Sequence, residues 1–305
     1  MSIKASIKTC RLHPNVGVEL PGFVLGAERS DDELAELRAL WLEHGLLLIR
    51  DPDVTAESQI AFSRSFGELE AHPLGKTVRS SEHEELLVLD NRDETQAYVS
   101  YYDGRPLAGR LFWHSDLIYT GAPNQGAVLR AVEIPEEDGL TGFVDQARAY
   151  DSLPETMKQR IKGLEVVYRW DVDMTQNRYV DRSSYEPGPK APKKASDMNL
   201  PDFPDCAYPI ALVHPESGRD ILNISPMFLH RIVGLPDDES DAILRELVEH
   251  VTQPELAYYH HWKPDDVILW DNWRMMHSAT GTAPGVKRII HRTTILGGVE
   301  LGRVV

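Results

Sequence analysis

Short apolar runs bounded by glycine and proline recur along almost the whole of this 305-residue chain, and they restrict the fold more than any other feature. Glu85 to Leu89, Leu111 to Tyr119, Gln125 to Val132, Thr141 to Asp145, Leu164 to Trp170, Ala211 to His214, Ile221 to Ile224, Val267 to Asp271 and Arg288 to Leu296 have the length and content of strands. Leu46 to Ile49 reads as a short buried strand. Helix signals are few. Ser30-Asp-Asp-Glu33 is a capping box that predicts a helix from Asp31 to His44, ended by Gly45. Thr55 begins a second helical stretch through Ile60 and Phe62, and Ser152-Leu-Pro-Glu155 reads as another capping box before a helix to Lys162. The expectation is a mainly β chain with flanking helices, a β-sandwich or jelly roll rather than a parallel α/β sheet. Residues 171–206 are rich in Pro, Lys, Ser and Asp without periodicity, so they read as a long loop, a lid or insert in a single domain spanning 1–305.

A net charge of −16 argues against nucleic acid or an anionic membrane as partner, because both are bound through clustered Lys and Arg. No stretch approaches the roughly 20 apolar residues that span a bilayer, and the N-terminal residues lack the apolar core of a secretory signal. The two cysteines, Cys10 and Cys206, suggest no disulfide framework and place the protein in the cytoplasm. A homo-oligomer, dimer or tetramer, is expected.

Three His-x-acid triplets occur: His83-Glu-Glu85, His114-Ser-Asp116 and His214-Pro-Glu216. The spacing alone is weak, because an acidic chain with 12 histidines produces such pairs by accident. Context separates them. His114 and Asp116 stand in the aromatic run Phe112 to Tyr119, where residues two apart in a strand face one way and can converge on one ion. His83 sits in an acidic turn, and His214 enters a hairpin. His277 follows a buried strand that ends in Trp270-Asp-Asn272, and by itself it reads as a core-edge histidine. Arg288 and Arg292, four apart in an apolar strand with no local acidic partner, change that reading. Buried guanidinium groups need a counter-charge, and a carboxylate ligand would supply one bidentately. Two histidines and one carboxylate leave open positions on a metal, the arrangement of non-haem Fe(II) oxygenases.

With these residues in place the chain resembles the Fe(II)- and 2-oxoglutarate-dependent dioxygenases of the taurine and 2,4-dichlorophenoxyacetate type. The resemblance rests on His114-x-Asp116, Thr141 after Asp138-Gly-Leu, His277, and Arg288 and Arg292 beyond it. Phe66-Gly-x-Leu-x-x-His72-Pro, His214-Pro-x-Ser-Gly-Arg219 and Trp270-Asp-Asn272 also look like family motifs, and together they cover Leu20 to Gly298. It implies a double-stranded β-helix, with His114, Asp116 and His277 holding Fe(II). It also implies that Arg288 and Thr141 bind the distal carboxylate of 2-oxoglutarate, and that Arg292 faces an anionic substrate and touches the co-substrate. His72 would be a second substrate contact. Dioxygen is the oxidant, and succinate and CO2 are the by-products. Because Asp116 is retained, hydroxylation is favoured over halogenation.

Two positions depart from the taurine pattern, where Arg110 replaces Asn and Gly75 replaces Tyr. Arg110 suits a carboxylate, sulfonate or sulfate, and Phe228, with Tyr101, Tyr102, Trp113 and Tyr119, would line an apolar pocket. The expected activity is hydroxylation of a small organic anion, with C–O or C–S cleavage where the hydroxylated carbon bears a leaving group. A desaturase on the same site and a non-oxidative metal-binding jelly roll are the alternatives.

Overall fold

The computed structural model describes residues 7–51, 53–70, 80–92, 98–198 and 202–305. Of the five sheets among the described residues, two have members that alternate along the chain. The larger has the order Cys10–Arg11, Val18–Glu19, Leu46–Arg50, Asp266–Asp271, Gly126–Glu133, Ile289–Ile295 and Leu87–Asp90. The smaller has the order Ala257–His260, Thr141–Asp145, Met275–Ala279 and Leu111–His114. From Leu111 to Asp145, and again from Ala257 to Ile295, each successive strand crosses to the other sheet. That alternation is the expected double-stranded β-helix, and its pairs are antiparallel apart from Val18–Glu19 with Leu46–Arg50.

Side-chain alternation sorts the core into layers. Leu46, Leu48, Ala127, Leu129, Ile268 and Trp270 of the large sheet pack with Phe143 and Met275 of the small one. Their neighbours Leu47, Ile49, Val128, Val267 and Leu269 face the opposite way. There they meet Leu37 and Trp41 of α1 (Asp31–His44) and Phe62 of α2 (Ala56–Arg64). Both faces of the sheet are covered, so these strands read as unbroken apolar runs. Outside the small sheet, Val144 and Met276 join a third core with residues of α3 (Gln146–Ser152), α4 (Glu155–Ile161) and α5 (Asp237–Val251). A buried ion pair ties these layers together. Arg274 grips Asp145 with two nitrogens, at 2.8 and 2.6 Å, and donates to the Leu42 and Glu43 carbonyls at the end of α1.

The helix expectations hold at α1, where the capping box closes around Ser30 and Glu33, and at α2, which Thr55 caps. At Ser152 the helix is right but the cap is not. Ser152 is the last residue of α3, its hydroxyl donates to the Ala149 carbonyl, and α4 starts after Pro154 with no side-chain cap. Helix α5, with three acidic residues in its first turn, was not anticipated. The Leu111 to Tyr119 strand is shorter than expected. It stops at His114, and Leu117, with a left-handed φ of 54°, leads into a 3₁₀ turn over Ile118–Thr120. Residues 171–206 carry more order than a loop, since Tyr185–Pro187 pairs with Val99–Tyr102 and Ala195–Met198 forms a 3₁₀ turn. No helix among the described residues is long and apolar enough to cross a membrane.

Candidate metal centre

His114 and His277 are direct cross-strand partners in the smaller sheet, so one strand pairing brings together residues far apart in sequence. Their ring centroids are 4.2 Å apart. Asp116 arrives differently from the sequence expectation. It lies past the end of the strand, in the turn that Leu117 reverses, and not on the strand face two residues from His114. Asn272 holds that turn, accepting from the Asp116 backbone N–H at 2.9 Å and donating to the Asp116 carbonyl at 2.9 Å. The Ser225 hydroxyl accepts from the Ser115 N–H at 2.9 Å. These contacts repay the strain of a leucine in the left-handed region, of order 1 kcal/mol. Asp271 in turn is anchored by the buried His214 Nε2 at 2.8 Å, while His214 Nδ1 accepts from the Glu216 and Ser217 N–H groups. The Trp270-Asp-Asn272 and His214-Pro-Glu216 motifs are therefore scaffolding for Asp116, and His214-x-Glu216 is no rival ligand pair.

The three donors converge. Asp116 Oδ1 lies 3.5 Å from His114 Nε2 and 3.7 Å from His277 Nε2, and one ligand atom from each residue lies within 4.8 Å of the others. Bonds of about 2.1 Å at right angles put donor atoms about 3 Å apart, so a small closing movement fits an octahedral transition metal. Protonation states suit the same purpose. His114 Nδ1 lies 2.7 Å from the Phe112 carbonyl, to which it donates, and Nε2 is the ring nitrogen turned toward Asp116. Burial, with His114 beside it, pushes His277 down to about 3, so its imidazole is neutral. Burial alone would raise Asp116, but Arg292, His277 and His114 outweigh it and hold the carboxyl well below its usual range. Two imidazoles and a carboxylate are the donor set that a divalent iron takes.

The low value of His277 has a consequence for stability. The unfolded chain takes up this proton near pH 6.5 and the folded one only near 3, so U binds more protons between those values. The metal-free protein is therefore fully stable with respect to this group above pH 6.5 and loses stability as pH falls from there. Between pH 7 and 5 the loss is about 2 kcal/mol. Urea unfolding of the metal-free His277→Gln variant should show a pH 7-to-5 difference smaller by that amount. An identical difference in both proteins would assign the acid sensitivity elsewhere.

Two arginines complete the set of candidate residues. Arg288 is buried, and its Nε donates to the Gly139 carbonyl at 3.0 Å while Nη2 approaches Thr141 Oγ1 at 3.4 Å. It precedes the strand Ile289–Ile295, and a register shift follows Ile289, so simple alternation from Arg292 does not place it. Among the described residues no carboxylate pairs with it, and burial pushes it down to about 10. Gly139 lets the backbone come this close: its φ is +66°, and a Cβ there would stand 2.9 Å from Arg288 Cδ.

Arg292, expected to face an anionic substrate, also has a partner within the protein. Its Nη2 is already bound to Asp116 Oδ2 at 2.7 Å, although its buried Nε has no partner. Phe228 sets its ring edge-on to His114, 6.1 Å away at 89°, and packs with Tyr119 and Trp170. The Asn177 side-chain amide donates to the Pro226 and Met227 carbonyls, so the 171–206 segment braces the turn that carries Phe228. Arg110 is exposed and lies over the Tyr102 ring at 4.0 Å, with no described hydrogen bond to the metal cluster. His72 and Gly75 lie outside the described residues. Trp262, whose indole N–H donates to Thr141 Oγ1 at 2.9 Å, was missed. The alternating Ala257-Tyr-Tyr-His260 strand before it was the available signal.

A double-stranded β-helix with two histidines, one carboxylate and a buried arginine at one end defines the non-haem Fe(II), 2-oxoglutarate-dependent oxygenase class. The Taurine catabolism dioxygenase TauD, TfdA family matches residues 8–294, and the chain belongs to it. It is similar to the (S)-phenoxypropionate/alpha-ketoglutarate-dioxygenase of Sphingobium herbicidovorans, with 33% identity over 89% of this chain and 88% of that protein. It is also 29% identical to the alpha-ketoglutarate-dependent 2,4-dichlorophenoxyacetate dioxygenase of a Burkholderia species, over 96% of this chain and 95% of that protein. A solved taurine dioxygenase from Burkholderia xenovorans superposes with a TM-score of 0.74 at 27% identity, covering 97% of this chain and 92% of that one. The protein is thus a dioxygenase that depends on Fe(II) and 2-oxoglutarate.

Proposed function

We propose that the protein hydroxylates a small organic anion, a carboxylate, sulfonate or alkyl sulfate, in the cytoplasm, with His114, Asp116 and His277 as the iron ligands. The observation that carries this reading is Arg288, a buried cation with no described counter-charge, set beside Thr141 at the end of the barrel where the three donors converge. An isolated buried charge costs several kcal/mol, and the distal carboxylate of 2-oxoglutarate removes that cost. Fe(II) and 2-oxoglutarate, when bound, supply the oxidation, in which dioxygen converts the co-substrate to succinate and CO2 and one oxygen atom enters the substrate.

The chain's own residues do the rest. Arg292 keeps Asp116 ionised with one nitrogen and has its Nε free for the acid group of a substrate. Phe228, Tyr119 and Trp170 form an apolar wall against His114 that excludes water and suits an apolar substrate body. Both cysteines are free, in keeping with a reducing compartment.

Anaerobic titration of the protein with Fe(II) and 2-oxoglutarate tests the reading. A visible metal-to-ligand charge-transfer band should develop, and it should shift when phenoxyalkanoates, sulfonates or alkyl sulfates are added in turn. Stoichiometric iron with no band would leave a metal-binding jelly roll that does not use 2-oxoglutarate.

A further inference from the structure

Thr141 Oγ1 already receives two N–H groups. The Trp262 indole N–H reaches it at 2.9 Å and Arg288 Nη2 at 3.4 Å. A hydroxyl oxygen has two acceptor positions and one hydrogen. With both acceptor positions taken by donors, the hydrogen must turn away from Trp262 and Arg288, and the group becomes a donor of fixed direction. All three residues are buried, so water does not scramble the arrangement.

The indole is itself held. His260 is the cross-strand partner of Thr141, and its ring meets the Trp262 ring edge-on at 4.6 Å and 87°. His260 Nε2 lies 3.0 Å from Asp266 Oδ2, and the Tyr258 hydroxyl lies 2.9 Å from His260 Nδ1. Arg50 Nη1 binds the other oxygen of Asp266 at 2.6 Å, and the Lys263 N–H donates to Oδ2 at 2.9 Å. Burial keeps His260 low despite Asp266, so the ring is neutral and its one proton serves Asp266 while Nδ1 accepts from Tyr258. Among the described residues no hydrogen bond joins this network to the metal donors. It ends at Trp262, and Trp262 ends at Thr141.

We infer that Trp262 is a positioning residue for the co-substrate: it fixes the Thr141 hydroxyl as a donor to the distal carboxylate, and so selects a 2-oxo diacid over a 2-oxo acid with no second carboxylate. The inference rests on the function proposed above. Without the indole N–H, the Thr141 hydrogen is free to rotate, and part of the hydrogen-bond free energy reserved for the carboxylate is lost.

The test is anaerobic titration calorimetry of the Mn(II)-loaded protein with 2-oxoglutarate and with 2-oxobutyrate, which lacks the distal carboxylate. Trp262→Phe, which keeps a ring in the site, weakens 2-oxoglutarate binding by about tenfold and leaves 2-oxobutyrate within about twofold of wild type. A general packing defect would weaken both equally, and that result overturns the inference, as does unchanged 2-oxoglutarate affinity. In a Thr141→Val background Trp262→Phe has no further effect, and additive losses count against action through Thr141. Should Trp262→Phe fail to fold, the Trp262 indole N–H resonance of the metal-free protein decides: it moves upfield in Thr141→Val if the bond exists and stays in place if it does not. Wild-type protein that does not bind 2-oxoglutarate sinks the proposed function and this inference with it. Wild-type binding without a selective loss in Trp262→Phe sinks this inference alone.

Discussion

Arg288→Ala should raise the 2-oxoglutarate KM by a factor of about 30 to several thousand, the equivalent of about 2 to 5 kcal/mol for a truncated buried charge pair. Fe(II) affinity should stay within about threefold, because no described hydrogen bond links Arg288 to His114, Asp116 or His277. The variant keeps the Thr141 hydroxyl but loses the guanidinium that makes the site cationic. Arg288→Lys should recover only part of the loss, since an ammonium cannot span Gly139, Thr141 and a carboxylate as a planar fork can. The stability of the ligand-free protein should not fall in proportion, because the arginine has no counter-charge to lose. Steady-state kinetics in 2-oxoglutarate at saturating substrate would decide the matter. A KM within twofold of wild type would remove Arg288 from co-substrate binding.

The second large effect separates Asp116 from the histidines. His114→Ala and Asp116→Ala should each abolish 2-oxoglutarate turnover, yet only Asp116→Ala should also unfold the metal-free protein easily. Arg292 depends on Asp116 for its 2.7 Å ion pair, with both side chains close to nine-tenths buried. Breaking such a pair from one side leaves an uncompensated charge and costs about 3 to 5 kcal/mol. Losing His114 removes packing against Phe228 and one bond to a carbonyl, a smaller cost of about 1 to 2 kcal/mol. Denaturant midpoints of the two metal-free variants measure the difference directly. Equal midpoints would show that Arg292 finds another partner when Asp116 is gone.

Most of the site was legible in the sequence because its residue types are hard to explain otherwise. Arg288 sits in an apolar run with no acid nearby, and its burial without a counter-charge is what the pattern implied. Arg292 shows the limit of the same argument. The local sequence holds no acid for it, but Asp116, 176 positions away, is its partner. The reasoning that joined His114 to Asp116 by strand alternation reached the right pair through the wrong geometry. A strand face would have needed no Asn272, whereas the actual turn depends on two hydrogen bonds from that side chain. Trp262 escaped notice because an aromatic residue after a strand usually means core, and nothing local distinguishes one whose N–H meets Thr141.

What this sequence determined by itself was local. Alternating and continuous apolar runs specified strands, a capping box specified α1, Thr55 with the apolar residues after it specified α2, and a few polar residues in apolar settings marked the chemistry. Only the tertiary structure decided which distant residues meet. The pairing of the Leu111–His114 and Met275–Ala279 strands puts His277 beside His114, and the Asn272 clamp turns Asp116 toward them. The bulge after Ile289 carries Arg288 to Thr141 while Arg292 reaches Asp116. Registers, bulges and positive-φ turns of this kind arise from packing and hydrogen bonding between segments far apart in sequence, and local patterning holds no record of them.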